Sequence, residues 1–123
     1  MKTKTFITGY CYVCRGVEYD LPFEAAVSSF SHLCAEVVVL TDPRFKDGTL
    51  SRLNTLASRL GNLRVETFEW RLDHPSADGM AKALAREKAE RTGADVLVSF
   101  DADEVLHEND VPKLLRVAHE MMV

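Results

Sequence analysis

The segment Val96-Leu97-Val98-Ser99-Phe100-Asp101-Ala102-Asp103-Glu104 indicates the fold most clearly. Its first five residues are almost all apolar and rich in β-branched side chains, which predicts a buried strand. Two carboxylates at spacing i, i+2 and a third acid follow directly. Open α/β sheets bind their ligands at the carboxyl ends of strands, so this acidic segment is a candidate site. A solvated acidic turn is the alternative interpretation, because so short a motif is weak alone.

Three further strands are predicted upstream, over residues 5–9, 37–40 and 63–70. The second is apolar on both faces, whereas the third alternates apolar and charged residues, which is typical of a sheet edge. Helices are predicted between the strands. The first is capped by Asp20. The second is capped within residues 47–49 and has its apolar stripe from Leu50 to Leu60 before Gly61. The third covers 80–91, and the last is capped by Asn109. The residues of this last helix that are predicted to point inward are Val111, Leu114, Leu115 and Ala118.

Four βα units with short connections predict one α/β domain over residues 1–123, a doubly wound, Rossmann-like parallel sheet with helices on both faces. The expected strand order is 3-2-1-4, with its switch point between strands one and four. Loops after strands one, two and four would then meet at one crevice, bringing together Gly9, Tyr10, Asp42, Asp101 and Asp103. Asp42 suits a hydrogen bond to a base or ribose, or else an Asp-Pro turn.

Composition excludes several classes. The net charge of −4 argues against nucleic-acid binding. No apolar run reaches the length of a transmembrane helix, and the start of the chain has no signal-peptide core, so we expect a cytoplasmic protein. Three cysteines form no closed disulfide set, which fits a reducing compartment. Cys11 and Cys14 have redox-motif spacing, but the residues that follow predict a loop and not the helix such a motif opens.

The loop after the first strand lacks a GxGxxG motif, so no helix N-terminus is expected to hold phosphate there. Phosphate charge then needs another source of neutralisation. A divalent metal on Asp101 and Asp103 supplies one, because Mg²⁺ is typically held by one or two carboxylates together with substrate phosphates.

The acid that ends Val-Val-Val-Leu-Thr-Asp42, the segment Phe100-Asp101-Ala102-Asp103-Glu104 and the helix before it resemble the nucleotide-binding part of a family 2 glycosyltransferase with the A-type fold. The resemblance covers nearly all the chain in order and spacing, but only the DxD segment is specific. It implies transfer of a sugar from a nucleotide-diphosphate sugar, usually of the uridine type, with Mg²⁺ or Mn²⁺. Carried over, Asp42 would contact the base, Asp101 the ribose side and Asp103 the metal.

The chain also departs from that family. The first loop lacks the usual polar turn containing Asn, and the family's acceptor-binding half, with its catalytic general base, is expected beyond Val123. The catalytic residue is therefore unknown. We expect a truncated domain, inactive alone, that self-associates through the apolar edge of strand four.

The helix before the acidic segment offers one further candidate. Arg86 could bind phosphate, although Lys82, Arg86 and Glu90 also form the i, i+4 row of a solvated helix face.

Two other function classes stay open. One is a non-catalytic nucleotide-binding or assembly module. The other is a phosphohydrolase like the haloacid dehalogenases, because Asp101-Ala102-Asp103-Glu104-Val105 also fits their nucleophile motif. That motif normally lies on the first strand, which makes this the weaker alternative.

Overall fold

The computed structural model describes residues 4–122. In this part of the chain four strands alternate with four helices, as predicted: β1 Ile7–Val13, α1 Phe23–Ser31, β2 Glu36–Thr41, α2 Thr49–Leu60, β3 Leu63–Thr67, α3 Ala77–Glu90, β4 Val96–Ser99 and α4 Val111–Met121. A 3₁₀ turn at Glu108–Asp110 leads into α4. Within residues 4–122 no helix has the length and apolar character needed to cross a membrane.

Val123, beyond which the general base was expected, lies outside the described residues. The expectation of a truncated domain without its acceptor-binding half therefore stays a prediction, and the catalytic residue stays unknown.

The sheet confirms the predicted topology. All neighbouring strands are parallel and the order is β3-β2-β1-β4. Buried side chains from α1, α2 and α4 form the core on one face, and alanines of α3 pack on the other. Helices on both faces explain why the four central residues of β2, Val37 to Leu40, are all apolar and fully buried. The fold is therefore a doubly wound α/β sheet.

The first strand is longer than the sequence predicted. β1 continues to Val13, where Tyr12 pairs with Leu40 and Val13 with Thr41. Gly9 and Tyr10 therefore lie inside the sheet, and their predicted place in the loop after strand one is wrong. Tyr and Val favour strands, and this preference outweighs the interruption that Gly9 suggested.

Two predicted helix caps are also wrong. Asp20 has a φ of 54° in a turn before α1, and this turn is closed by a 2.8 Å hydrogen bond from the Leu21 N–H to the Gly16 carbonyl. The residue that caps α1 is Pro22. Asn109 lies within the 3₁₀ turn, so the cap of α4 moves to Asp110.

The two edges of the sheet differ in character. β3 carries Arg64 and Glu66, which form ion pairs. Charged side chains on an edge strand oppose its pairing with a strand of another chain. β4 carries no charged residue and borders an apolar groove of about 340 Å³ beneath α4. Leu114, which lines this groove, and Leu115 are 37% and 42% exposed, so the prediction that they point inward is wrong. Self-association at the β4 edge stays a prediction.

Candidate functional site

A crevice of about 510 Å³ opens where β1 and β4 end side by side. Four segments line it: the end of β1 and the following residues, the loop after β3, the start of α3, and the turn after β4. Its main polar and aromatic lining residues are Tyr12, Arg15, Tyr19, Trp70, Asp78, Asp101 and Asp103. The strand order reverses between β1 and β4, so the crevice lies at the switch point where such sheets bind ligands.

A larger hollow of about 610 Å³ lies along α2. Lys46 is the single charged residue among those that line it, and no carboxylate or aromatic group other than Phe45 joins it there. The crevice between β1 and β4 is therefore the candidate site.

The acidic turn after β4 is closed at both ends by Glu104. Its carboxylate accepts a 2.7 Å hydrogen bond from the Asp101 N–H, and its own N–H donates to the Asp101 carbonyl at 3.0 Å. Glu104 thus shapes the turn. Asp101 and Asp103 are largely open to solvent, and within residues 4–122 neither carboxylate forms a hydrogen bond or ion pair. Both carboxylates are available to a ligand in the crevice.

Asp101 and Asp103 are the candidate metal ligands of the crevice. In the described part of the chain, no three His, Cys, Asp or Glu side chains come together as a metal cluster. Asp101 and Asp103 offer two hard oxygen donors at the crevice surface. Mg²⁺ commonly takes one or two carboxylates and completes its coordination with water and substrate phosphates. These two residues therefore fit a metal that is shared with a phosphorylated ligand.

The crevice carries a negative field. Asp78, Asp101 and Asp103 line it together with one cation, Arg15, which leaves two negative charges among the described lining residues. The pKa of Tyr12 is raised by burial and then by the charges of Asp78 and Asp101. A diphosphate entering this field alone would be repelled, whereas a divalent cation would be attracted.

Arg15 was not among the site residues predicted from the sequence. Its guanidinium lies 4.1 Å from the centre of the Phe45 ring and donates a 2.9 Å hydrogen bond to the Tyr19 hydroxyl. These contacts place a positive charge in the wall of an otherwise acidic crevice. A lone Arg in a predicted loop gave no pattern by which to find it.

Trp70 was also missed, and Asp42 explains its position. Asp42 is buried, and its carboxylate accepts hydrogen bonds from the Trp70 N–H at 2.8 Å and from the Arg44 N–H at 2.9 Å. The Arg44 side chain adds a contact of 2.7 Å. Burial acts to raise the pKa of Asp42, but these hydrogen bonds outweigh it and lower the pKa. Asp42 thus lies behind the crevice wall, and its direct contact with a base stays a prediction.

The other predicted site residues lie away from the crevice lining. A side-chain Cβ on Gly9 would come within 2.9 Å of Cys34 Sγ, so Gly9 allows close packing of the core. Tyr10 is 7% exposed and packs among residues facing α3. Arg86 is 64% exposed and pairs with Glu90 at 3.1 Å, which matches the solvated helix face. The structure brings together Asp101 and Asp103 but not Gly9, Tyr10 or Arg86.

The cysteines are free thiols, with Cys11 and Cys34 buried. Burial raises the pKa of each, that of Cys34 to about 12, and the charge of Asp101 raises the pKa of Cys11 further. The pKa of Cys14 is raised first by burial and then by Asp42. Thiols held protonated are poor nucleophiles and poor metal ligands. Cys14 also lies directly after β1 and not at the N-terminus of a helix, so the arrangement does not favour a redox role for the CxxC spacing.

Comparison of the sequence with protein-family models finds no match, and a search of curated proteins also finds none. The glycosyltransferase resemblance therefore rests on the DxD segment and on the order of the elements.

Proposed function

We propose that this domain binds a nucleotide-diphosphate sugar, of the uridine type, as the donor of a glycosyltransferase, together with Mg²⁺ or Mn²⁺. The observation that carries the proposal is the pair Asp101 and Asp103, which line the switch-point crevice and whose carboxylates form no hydrogen bond or ion pair within residues 4–122. A metal site that is open and negatively charged fits a ligand that brings its own phosphate oxygens.

Different residues of the crevice have different roles in the proposed binding. Asp101 and Asp103 would hold the metal, and Glu104 keeps their turn closed through its bond to the Asp101 N–H. A metal bound there supplies neutralisation of charge on the diphosphate that leaves during sugar transfer. Tyr12 lines the crevice and offers a ring against which a base or sugar ring can pack, and the buried Trp70, whose ring centre lies 5.7 Å away, supports it from behind.

The cytoplasm is the location we propose for this activity. All three thiols are free, and Cys11 and Cys34 lie in the core without a disulfide. Proteins with unpaired buried thiols are typical of reducing compartments.

Binding of uridine diphosphate with and without Mn²⁺ tests the proposal. Trp70 is the single tryptophan and lines the crevice, so its fluorescence reports binding alongside calorimetry. We expect binding with Mn²⁺, and its loss after chelation and in Asp103→Ala. The matched control is Asp73→Ala, which removes an acid that is 81% exposed and does not line the crevice.

Two results would select the alternative functions. Binding of uridine diphosphate that is equal after chelation would indicate a nucleotide-binding module without a metal role. A phosphoenzyme on Asp101, trapped from a phosphate ester and absent in Asp101→Asn, would indicate a phosphohydrolase.

A further inference from the structure

Arg15 has an unusual backbone conformation in the loop that follows β1. Its φ of 56° lies in the left-handed region, which costs energy for a residue with a side chain. The Tyr19 N–H donates a 3.0 Å hydrogen bond to the Arg15 carbonyl. A Cβ on the next residue, Gly16, would come within 2.6 Å of the Phe23 ring, so the loop is packed tightly onto α1. The backbone at Arg15, and with it the position of the Arg15 Cα and Cβ atoms, is therefore held by the surrounding structure.

Aromatic groups, and not a close carboxylate, orient the side chain. The guanidinium stacks on Phe45 at 4.1 Å and bonds to the Tyr19 hydroxyl at 2.9 Å. Its one ion pair in residues 4–122 is with Glu18 at 3.8 Å, and Glu18 is half exposed. Because Glu18 is open to solvent and 3.8 Å away, this pair neutralises little of the charge of Arg15.

Arg44 shows the contrast. It also lies beside Phe45, at 5.9 Å, but it meets the buried carboxylate of Asp42 at 2.7 Å, so its charge is already paired with that carboxylate. Arg15 is the cation that lines the crevice. Its planar guanidinium presents several N–H donors with a geometry that matches the oxygens of a phosphate. One of these donors bonds to the Tyr19 hydroxyl.

We propose that Arg15 is the anion-binding residue of the crevice and that it donates hydrogen bonds to phosphoryl oxygens of the ligand. The inference rests on the proposed function for the identity of that ligand, a nucleoside diphosphate. Arg15 binds the diphosphate directly, while Asp101 and Asp103 bind it through the metal. The stacked position on Phe45 and the bond to Tyr19 hold the guanidinium ready before the ligand arrives.

Binding of three probes to Arg15→Gln tests the assignment: uridine diphosphate with Mn²⁺, inorganic pyrophosphate with Mn²⁺, and uridine. We expect both phosphate probes to bind about 10- to 100-fold more weakly, as for loss of a charge-assisted hydrogen bond. Uridine binding and the affinity for Mn²⁺ alone should not change. Arg15→Lys keeps the charge but loses the fork, so it should give an intermediate affinity.

Two further variants separate binding from folding. Arg59→Gln removes a cation in the last turn of α2, at the end of the sheet opposite the crevice, and should bind all probes normally. Tyr19→Phe removes only the hydroxyl that orients Arg15, on a residue 59% exposed, so the fold should persist. We expect this variant to bind the phosphate probes several-fold more weakly, which keeps the test decisive should Arg15→Gln not fold.

The outcomes distinguish this inference from the proposed function. Unchanged binding of both phosphate probes to Arg15→Gln overturns the role of Arg15 and leaves the donor-binding proposal standing. Binding of pyrophosphate that depends on Arg15, without any binding of uridine diphosphate, supports the anion site and overturns the donor proposal. If the wild-type protein binds neither phosphate probe, both are overturned.

Discussion

The buried carboxylate of Asp42 accepts a 2.8 Å hydrogen bond from the backbone N–H of Trp70. This bond ties the residue that follows β2 to the loop that follows β3. Arg44 completes the link, because its side chain bonds both to the Asp42 carboxylate and, at 2.6 Å, to the Trp70 carbonyl. Trp70 is thereby held in the wall of the crevice, close to Tyr12.

Asp42→Ala should lower the free energy of unfolding by about 1–3 kcal/mol, the cost of leaving the buried Trp70 N–H without a partner. Arg44 loses its side-chain bonds to Asp42 as well, but it is 43% exposed and can turn to solvent. Denaturant unfolding measures the change. Glu69→Ala is the control, since Glu69 is 66% exposed and meets Arg44 only at 3.9 Å. An Asp42→Ala protein as stable as the control would contradict the structural role.

The stabilisation by Asp42 should depend on pH. Hydrogen bonds from Arg44 and Trp70 lower its pKa in the folded protein despite burial. A lowered pKa means that the contribution is fully present above the ordinary aspartate pKa of about 3.9 and is lost as the pH falls through the folded value. The difference in unfolding free energy between wild type and Asp42→Asn should therefore be largest near neutrality and shrink in acid. A difference that grows on acidification would show that the sign is wrong.

Gly9→Ala should destabilise the fold without weakening the binding of uridine diphosphate with Mn²⁺. The added Cβ would lie 2.9 Å from Cys34 Sγ, and overpacking of this kind costs about 1–3 kcal/mol. Cys34→Ala removes the sulfur, so the double variant should recover part of the loss, and a double-mutant cycle measures the coupling. Additive losses would show that the clash with Cys34 is not the cause.

Self-association through the edge of β4 should appear as a sedimentation coefficient that rises with protein concentration. Val117, 50% exposed on α4 beside the edge, is the position to test. A charge there opposes burial of the groove, so Val117→Glu should sediment as a monomer at every concentration. The control is Leu72→Glu, which places the same charge on an apolar residue 56% exposed outside the groove. Equal association in wild type and Val117→Glu would exclude this edge.

The strand order followed from the sequence because each strand and helix has its own periodicity. Short apolar strands that alternate with amphipathic helices leave few topologies for a parallel sheet. Element boundaries were less certain. β1 extends to Val13 because pairing with Leu40 and Thr41 of β2 stabilises Tyr12 and Val13 as strand, and such pairing is not visible in a local pattern.

The acidic half of the site was predictable, and the rest was not. Asp101 and Asp103 adjoin a strong strand pattern, so their place at the crevice followed from the fold. Arg15 and Trp70 reach the crevice through contacts with residues distant in the sequence, Phe45 for the first and Asp42 for the second. Asp42, also an acid at a strand end, holds the crevice wall through its bond to the Trp70 N–H, and this contact too is not visible in a local pattern.

A metal shared between the Asp101–Asp103 pair and a diphosphate ligand would couple the affinities of metal and nucleotide, and the coupling must be reciprocal. The decisive quantity is the affinity for Mn²⁺, followed by electron paramagnetic resonance, with and without uridine diphosphate and corrected for Mn²⁺ bound by the free nucleotide. We predict at least about tenfold tighter Mn²⁺ binding to the wild-type protein with the nucleotide, typical of such coupling, and no enhancement in Asp103→Ala. The same Mn²⁺ affinity with and without the nucleotide, or equal enhancement in Asp103→Ala, would show that the two carboxylates do not share a metal with the ligand.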